Sequence, residues 1–237
     1  MLDVAALGPA VEPFDPLCAG AVGPQLVAGM REAGIPTVER RYDAGDLVCD
    51  EHDHGSALQL VLWGVVKLCA VRSGAKEAVL RLAGPGQPAA IPALVEEPAR
   101  WVRAEAFTPC GVVKIPKIFV ERAVRESPEI ALKVAALLSL EVSSREEFYQ
   151  CLLPRTTEAR LARLLPILAR EFGERSEGKT VIGLRITHYD LAAMVASTRE
   201  SVTAAVGALR RQGILEKKAG TITILVPEDL DKVSDPW

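Results

Sequence analysis

The chain has 237 residues, of which 49% are hydrophobic and 25% are charged. This balance is typical of a globular protein and excludes a disordered chain, a collagen-like repeat and a coiled-coil rod. No apolar run approaches the ~18–20 residues that span a bilayer, and no charged segment precedes an apolar stretch at the N-terminus, so we expect neither a membrane span nor a signal peptide. Five widely spaced cysteines do not indicate a disulfide framework, so we expect reduced thiols and a cytoplasmic location.

The net charge of −3 conceals a basic segment. Residues 155–218 carry 12 Lys and Arg against 7 Asp and Glu, whereas residues 1–154 carry 15 against 20. A basic segment inside an acidic chain indicates a module that faces a polyanion, although scattered surface charge would give a similar excess.

The N-terminal half has the pattern of a β-domain. Residues 1–24 are rich in Pro, Gly and Ala and are expected to form a loose arm, followed by a short helix over 25–34. From 38 to 116, short apolar segments are divided by turns, and Leu58 and Leu60 show the period of two of a half-buried strand. This pattern predicts an antiparallel sandwich or barrel.

A long helix is predicted from Pro128 to about Leu152, because apolar residues recur there at helical spacing. A helix that is apolar on more than one side needs a partner beyond its own domain, so we assign it to homodimerisation. The expected interface residues are Ile130, Val134, Leu137, Leu138 and Val142.

The next helix carries Pro166 among its buried leucines, and a kink or break is expected there. Residues 173–183, rich in Gly and charge, are predicted to be a loop.

Residues 187–226 have the pattern of a winged helix-turn-helix. A short helix opens at Thr187, a turn follows at Ala196-Ser197, and a second helix runs from Thr198 to Gln212. Residues 215–224 then alternate around a turn, which predicts a two-stranded wing.

The chemistry of this segment fits duplex DNA. At the start of a recognition helix, Arg199 can donate two hydrogen bonds to guanine, and Glu200 can accept one from cytosine. The hydroxyls of Thr187, Thr198 and Ser201 suit phosphate oxygens, while Lys217 and Lys218 add a nonspecific, salt-sensitive attraction. Alternatively, Ser197 and Glu200 match a capping box, in which Glu200 would fold back onto the helix start.

In their order, these features resemble the CRP/FNR transcription regulators, the family of the cyclic-AMP receptor protein. The resemblance runs from about Arg40 to Val226. Residues 41–55 (RYDAGDLVCDEHDHG) and 60–68 (LVLWGVVKL) resemble the opening strands of the family's barrel, and 84–87 (GPGQ) resembles the turn before its ligand pocket. Residues 187–200 match the family's helix-turn-helix without a gap.

The resemblance also implies roles for individual residues. Arg199 and Glu200 lie where relatives read bases. Ala204 stands where the next reading residue is usually Arg, which removes a guanine contact worth ~1–3 kcal/mol and argues against the usual TGTGA-type half-site. Relatives contact phosphate at the positions of Thr187, His188, Tyr189, Thr198 and Ser201. The candidate DNA-binding residues are Thr187, His188, Tyr189, Thr198, Arg199, Glu200, Ser201, Thr203, Lys217 and Lys218.

At the positions of the family's ligand site, this chain differs further from the family pattern. Relatives that bind cyclic AMP hold its ribose with Gly-Glu and its phosphate with Arg-Ser, whereas this chain has Ala90-Ile91 and Pro98-Ala99. Without the arginine a charge-assisted pair is lost, so we do not expect cyclic AMP to bind in the usual way. Scattered cysteines argue against an iron–sulfur cluster, and the absence of Cys and His from 87–92 argues against haem. The small-molecule effector stays unassigned.

Cys49, His52 and His54 have the spacing of a divalent-metal site. The resemblance instead implies an ordinary turn between the first strands, with His in place of Gly and Pro, so no metal is expected. The cysteines are expected to be small buried apolar residues rather than redox switches.

Taken together, the sequence predicts an α+β protein. An arm and an antiparallel β-barrel, a jelly roll like that of cyclic-nucleotide-binding domains, are expected over 1–127. A dimerisation helix over 128–153 and a winged helix-turn-helix over 154–237 follow. We expect a homodimer that regulates transcription by binding double-stranded DNA at two half-sites, with recognition helices ~34 Å apart. The resemblance implies activation through RNA polymerase, and repression remains open.

Two other classes of function compete with this one. A sensor module that binds an effector or metal with weak or no specific DNA readout fits the missing arginine at Ala204, but the Arg199-Glu200 pair opposes it. A cupin-type enzyme needs clustered metal ligands, whereas the chain has 3 His, two of them in one turn. No nucleophile–base pair or phosphate loop stands out, so no enzymatic activity is expected.

Overall fold

The computed structural model describes residues 19–50, 56–70, 78–91, 102–176 and 178–234. The N-terminal half is an antiparallel β-sandwich, and the C-terminal half is a smaller α+β unit. The strands of the sandwich are β1 (Val38–Tyr42), β2 (Leu47–Cys49), β3 (Ala57–Trp63), β4 (Val66–Ala70), β5 (Ala78–Ala83), β6 (Pro88–Ala90), β7 (Val102–Ala106) and β8 (Cys110–Pro116).

The sandwich consists of two four-stranded sheets with the orders β1-β8-β3-β6 and β2-β7-β4-β5. Small and β-branched side chains fill most of the space between them, including Val61, Val66, Ala104 and Val112. The predicted antiparallel jelly roll is confirmed. The two sheets stay open rather than closing into a barrel, since no strand pairing joins them within the described ranges.

Three helices cover the outer face of the first sheet: α1 (Ala19–Glu32), α2 (Lys117–Glu126) and α3 (Pro128–Gln150). The prediction that the arm extends to residue 24 is wrong, because α1 begins at Ala19. A Cβ atom at Gly23 would overlap the carbonyl oxygen of Gly86, so this position brings α1 against the turn between β5 and β6. Residues 1–18 of the predicted arm lie outside the described residues.

The structure shows the surroundings of the α3 residues that the sequence assigns to the dimer interface, and that assignment stays a prediction. Ile130, Val134 and Leu137 are buried within their own protomer, where they pack with residues of α1 such as Leu26 and Met30. Leu138 is partly buried in the same cluster, and Val142 is exposed. The helix begins after Ser127, whose side chain accepts a hydrogen bond from the amide of Ile130, and it ends two residues before the predicted Leu152.

The C-terminal unit surrounds a helix-turn-helix. The helix α4 continues through Pro166 without the predicted break. The segment predicted as a loop over 173–183 is a hairpin, which extends the predicted two-stranded wing into a sheet of order β11-β12-β10-β9. Its turn contains Gly178 with a φ of +77°, and Ile182 is fully buried. The elements are α4 (Thr157–Phe172), β9 (Gly173–Ser176), β10 (Lys179–Ile182), α5 (His188–Met194), α6 (Arg199–Arg211), β11 (Leu215–Lys218), β12 (Thr221–Ile224) and α7 (Pro227–Val233).

The two halves share one hydrophobic cluster. Cys69, Val79 and Leu82 on the outer face of the second sheet pack with Leu165 of α4 and Leu191 of α5. The C-terminal unit therefore lies against the sandwich. Among the described residues, no helix is long and apolar enough to cross a membrane.

Candidate nucleic-acid interface

The first helix of the motif starts at a complete capping box. The hydroxyl of Thr187 accepts from the amide of Asp190 at 3.1 Å, and the Asp190 carboxylate accepts from the amide of Thr187 at 2.8 Å. Tyr189 is exposed in the first turn of α5. These local bonds fix the start of α5 at Thr187, as the sequence predicted.

Residues of α4 hold the turn between the two helices, a contact that the sequence did not reveal. Arg160 donates to the carbonyl oxygens of Val195 and Ala196 at 3.1 and 3.3 Å. Thr157 and Ser197 are joined by a hydroxyl–hydroxyl hydrogen bond of 2.8 Å. Ala196 has a φ of +49°, which is uncommon for a residue with a side chain, so these contacts stabilise a constrained turn.

The second helix, α6, has a buried face and an open face. Val202, Val206 and Leu209 are buried, whereas Arg199 and Glu200 are exposed. The exposed side also carries Ser201, Thr203 and Ala204. A helix that presents polar side chains from its first turns at the surface has the geometry of a recognition helix.

Thr198, not Ser197, caps α6. Its hydroxyl accepts from the amide of Ser201 at 3.1 Å, while Ser197 bonds to α4. The capping box proposed for Ser197 and Glu200 is therefore not formed.

His188 links the two helices. Its Nδ1 atom is 2.8 Å from the Thr203 hydroxyl, which donates its single hydrogen to the Arg199 carbonyl at 2.8 Å. The Nδ1–H of His188 must then be the donor, which leaves Nε2 pointing away from this bond. Burial lowers the pKa of His188, and the positive charges of Lys217 and Arg199 lower it further.

The two lysines of the wing differ in their surroundings. The Lys217 ammonium donates to the carbonyl oxygen of Ile186, and partial burial lowers its pKa. Lys218 is exposed and forms an ion pair of 2.9 Å with Glu216. Lys217 therefore connects the wing to the start of α5, and Lys218 is the more accessible of the two for a phosphate.

An exposed stripe runs along α3 on the side opposite the sandwich. Leu132, Val142 and Tyr149 are 72%, 54% and 65% exposed there. The full stripe, which we call the α3 seam, comprises Leu132, Ala135, Ser139, Val142, Glu146 and Tyr149. Successive residues of the seam are alternately three and four positions apart, which is the spacing of a and d positions in a coiled coil.

The candidate ligand and metal positions are only partly described. Ala90 is buried and Ile91 is half-buried, whereas Pro98, Ala99, His52 and His54 lie outside the described residues. Four cysteines (Cys49, Cys69, Cys110, Cys151) are buried and form no disulfide bond, and burial raises the pKa of Cys151 to about 11. The described part of the chain contains no group of three or more His, Cys, Asp or Glu side chains suited to a metal ion.

Two family models match the two halves of the chain. A cyclic nucleotide-binding domain matches residues 39–127, and a Crp-like helix-turn-helix domain matches residues 159–233. The fold and the exposed recognition helix therefore define a DNA-binding regulator built on a sensor-type sandwich.

Known proteins specify the family. The chain is 31% identical over 176 residues to the transcriptional regulator SdrP of Thermus thermophilus, covering 74% of this chain and 82% of that protein. It is 28% identical to the global nitrogen regulator of Synechococcus elongatus, covering 87% and 96%. The structure of FixK2 from Bradyrhizobium japonicum has a similar fold, with a TM-score of 0.72 at 20% identity over 86% of this chain and 100% of that one.

The chain belongs to the CRP/FNR family of DNA-binding transcription regulators. These matches give no support to the alternative of a sensor module without specific DNA readout. The matched relatives are regulators rather than enzymes.

Proposed function

We propose that the protein works as a homodimer joined along the α3 seam. The seam is a stripe of α3 that the protomer leaves exposed, with Leu132, Val142 and Tyr149 as its large apolar members, and the opposite side is covered by α1 and the sandwich. Two parallel copies of α3 would place both C-terminal units at the same end of the dimer. Their recognition helices would then reach two half-sites on one face of the duplex.

We propose that Arg199 and Glu200 read the bases of each half-site. The observation that carries this proposal is their joint exposure in the first turn of α6, next to the capped start of α5. Thr187, Tyr189, Thr198, Ser201 and Lys218 would contact phosphates around them and fix the position of the helix in the groove. Ala204 supplies no hydrogen bond to a base, so the half-site differs from TGTGA.

Selection of binding sequences from a pool of random duplexes tests this function. The expected result is a two-fold symmetric sequence whose half-sites lie about 10 base pairs apart, with an affinity that falls steeply as salt rises. Binding without any sequence preference, or no binding at all, would contradict it.

We propose that cyclic AMP is not the controlling ligand. Ala90 and Ile91 replace the Gly-Glu pair that would hold its ribose, and neither side chain can accept a hydrogen bond. Isothermal titration should detect no tight binding of cyclic AMP. The effector would come from another chemical class. A thermal-shift screen of metabolites would identify it as the compound that raises the melting temperature of the protein most.

Regulation through RNA polymerase is the remaining part of the proposal, and a protein acting on transcription would work in the cytoplasm. Transcription in vitro from a promoter that carries the selected sequence, with and without the protein, measures the sign of the effect. An increase in transcript supports activation, whereas a decrease indicates repression.

A further inference from the structure

Near the C-terminal end of α3, the α3 seam contains Glu146, and the oppositely charged Arg145 lies beside the seam. Glu146 occupies an a position, and Arg145 occupies the g position before it. The side chain of Glu146 is exposed, and it forms no hydrogen bond or ion pair within the described residues. Arg145 donates from Nε to the Oε1 atom of Glu141 at 2.7 Å, and the other nitrogens of its guanidinium have no partner in the described part of the chain.

A parallel coiled coil makes this arrangement unfavourable unless the two copies share charges. The a residues of both helices face each other near the two-fold axis, so two Glu146 carboxylates would repel one another. The hole that receives each a residue is partly formed by the preceding g residue of the facing helix. For Glu146, that residue is the Arg145 of the other copy.

We propose that Arg145 of each protomer pairs with Glu146 of the partner, which gives two symmetric ion pairs across the dimer axis. This inference rests on the proposed dimerisation along the α3 seam. The proposed partner is a second copy of this chain. The layer formed by Arg145 and Glu146 of both copies would fix the register of the two helices. A polar or charged a position selects register and the number of helices at a cost in stability.

The same arginine also connects the dimer axis to the sandwich. Glu141 accepts hydrogen bonds from Arg145 and from Arg81 of β5, the latter at 3.1 Å from Nε and 2.5 Å from a terminal nitrogen. Arg81 and Glu141 are 4% and 5% exposed. Arg145 would therefore be shared between the buried pair that attaches α3 to the sandwich and the carboxylate of the partner.

Sedimentation equilibrium of the full chain at neutral pH tests the ion pairs. Arg145→Gln leaves two facing carboxylates without a cation, so the dimer should dissociate about tenfold more readily. Adding Glu146→Gln to this variant removes the repulsion and should restore most of the lost affinity. Glu146→Arg should weaken the dimer more than Glu146→Gln does, and neither change removes a hydrogen bond or ion pair of the Glu146 side chain to another described residue.

A matched control is the exposed pair of Arg122 and Glu126 on α2, which are joined at 2.9 Å. Arg122→Gln changes the net charge by the same amount away from the seam and should leave dimerisation unchanged. An unchanged dissociation constant for Arg145→Gln, or a failure of Glu146→Gln to restore it, would overturn the ion pair.

The proposed dimer itself is tested separately by Val142→Glu, which should give monomers. If the wild type is monomeric, or if Val142→Glu stays dimeric, the α3 seam is not the interface and the inference falls with it. If Val142→Glu gives monomers while the Arg145 and Glu146 variants dimerise as tightly as the wild type, the α3 seam is the interface and only the proposed ion pair is wrong.

Discussion

Arg199 is the side chain whose loss should change DNA recognition most directly. Its exposed guanidinium at the start of α6 can donate two hydrogen bonds to one guanine. Arg199→Ala should weaken binding by ~1–3 kcal/mol and relax the preference at one base pair of each half-site. Fluorescence anisotropy with duplexes substituted at single positions, all at one salt concentration, measures both effects.

Lys218→Ala is the control for this experiment. Lys218 lies on the exposed wing and not on the recognition helix. Its removal should therefore weaken binding to all duplexes equally and reduce the salt dependence of binding. If Arg199→Ala also weakened all duplexes equally, Arg199 would be a phosphate contact rather than a reader of sequence.

Ala204 offers the complementary change. It is exposed on the open side of α6, and Ala204→Arg would add a second side chain able to bind guanine with two hydrogen bonds. The variant should gain affinity for half-sites with an added G·C pair, as found by repeating the sequence selection. An unchanged selected sequence would show that position 204 does not face a base.

DNA binding should take up a proton at His188. In the free protein, burial and two nearby cations keep the pKa of His188 below its usual value, and the neutral ring uses its only N–H on Thr203. Donation to a phosphate then requires the protonated ring, and the phosphate raises the pKa in the complex. Affinity should therefore rise as the pH falls through the pKa of the complex, and it should level off below the pKa of the free protein.

His188→Gln separates this effect from other titrations. Gln can keep a hydrogen bond to Thr203 but does not titrate, so the difference in binding free energy between the two proteins should vary between about pH 5 and pH 8. Anisotropy titrations across this range measure the difference. Parallel curves for the two proteins would show that His188 does not change its protonation on binding.

At the scale of elements, Pro166 is the clearest local conflict. It is exposed in the middle of α4, and it has no N–H to donate to the carbonyl of Ala162 one turn earlier. A proline within a helix costs ~3 kcal/mol relative to alanine, so Pro166→Ala should raise the free energy of unfolding by about 1–3 kcal/mol. Urea denaturation measures this gain, and DNA affinity should stay the same.

A loss of stability or of DNA affinity in Pro166→Ala would give the proline a different role. It would mean that the proline sets the shape of α4, which holds the helix-turn-helix through Arg160. Thr157→Ala is a useful comparison, because it removes one contact with the turn and leaves the backbone of α4 intact.

The elements that the sequence predicted well have local signals. Thr187 and Thr198 cap the two helices of the motif, and Gly213, with a φ of +74°, follows the second one. These residues interact within a few positions along the chain, so the helix-turn-helix could be located without tertiary information. The alternation of Leu58 and Leu60 also located β3, although the structure buries the residues between them as well, because the strand lies inside the sandwich and under the helices.

The elements that were missed depend on distant contacts. The first strand of the hairpin over 173–183, β9, is polar and pairs only at the edge of the sheet, so its composition resembles that of a loop. The helix α2 buries Val120 and Ala123, with Phe119 and Val124 partly buried beside them, but its 10 residues are shorter than the window of roughly 11–18 residues in which a helical period is detected. The contact of Arg160 with the turn joins residues 35 positions apart and has no counterpart in local sequence.

The interface residues on α3 show the same limit. The helix is apolar on several sides, so periodicity predicts the helix but not which side meets the partner. That choice depends on α1, which covers Ile130 and Val134 from a distant part of the chain. Only after this cover is known does the α3 seam emerge as the exposed side.

At the scale of the whole molecule, the three parts of the protein meet around Arg81. This arginine lies on β5 of the sandwich, pairs with Glu141 of α3 and donates to the carbonyl of Pro88 at 2.6 Å. Glu171, near the end of α4 in the DNA-binding unit, lies close by; burial raises its pKa, and the charges of Arg170 and Arg81 oppose this shift. Arg81 and Glu171 therefore bring charged groups of the sandwich, of α3 and of the C-terminal unit together at one junction.

The stability of this junction should depend on keeping both charges together. Burial lowers the pKa of Arg81, and the negative charge of Glu141 opposes that shift, so the carboxylate compensates the buried guanidinium. Glu141→Gln leaves a buried cation without its counterion and should cost about 3–5 kcal/mol of unfolding free energy, as measured by urea denaturation. The double change of Arg81→Met and Glu141→Leu removes both charges and should recover most of that loss, because buried ion pairs contribute little net stability over well-packed apolar residues.

The exposed pair of Arg122 and Glu126 is the control, where Glu126→Gln should cost less than about 1 kcal/mol. If the double variant is as unstable as Glu141→Gln, the junction requires the hydrogen bonds of Arg81 to the turn at Pro88 and not merely the balance of charge. If the double variant folds and dimerises but loses its response to an effector, the buried pair is the connection between ligand and DNA.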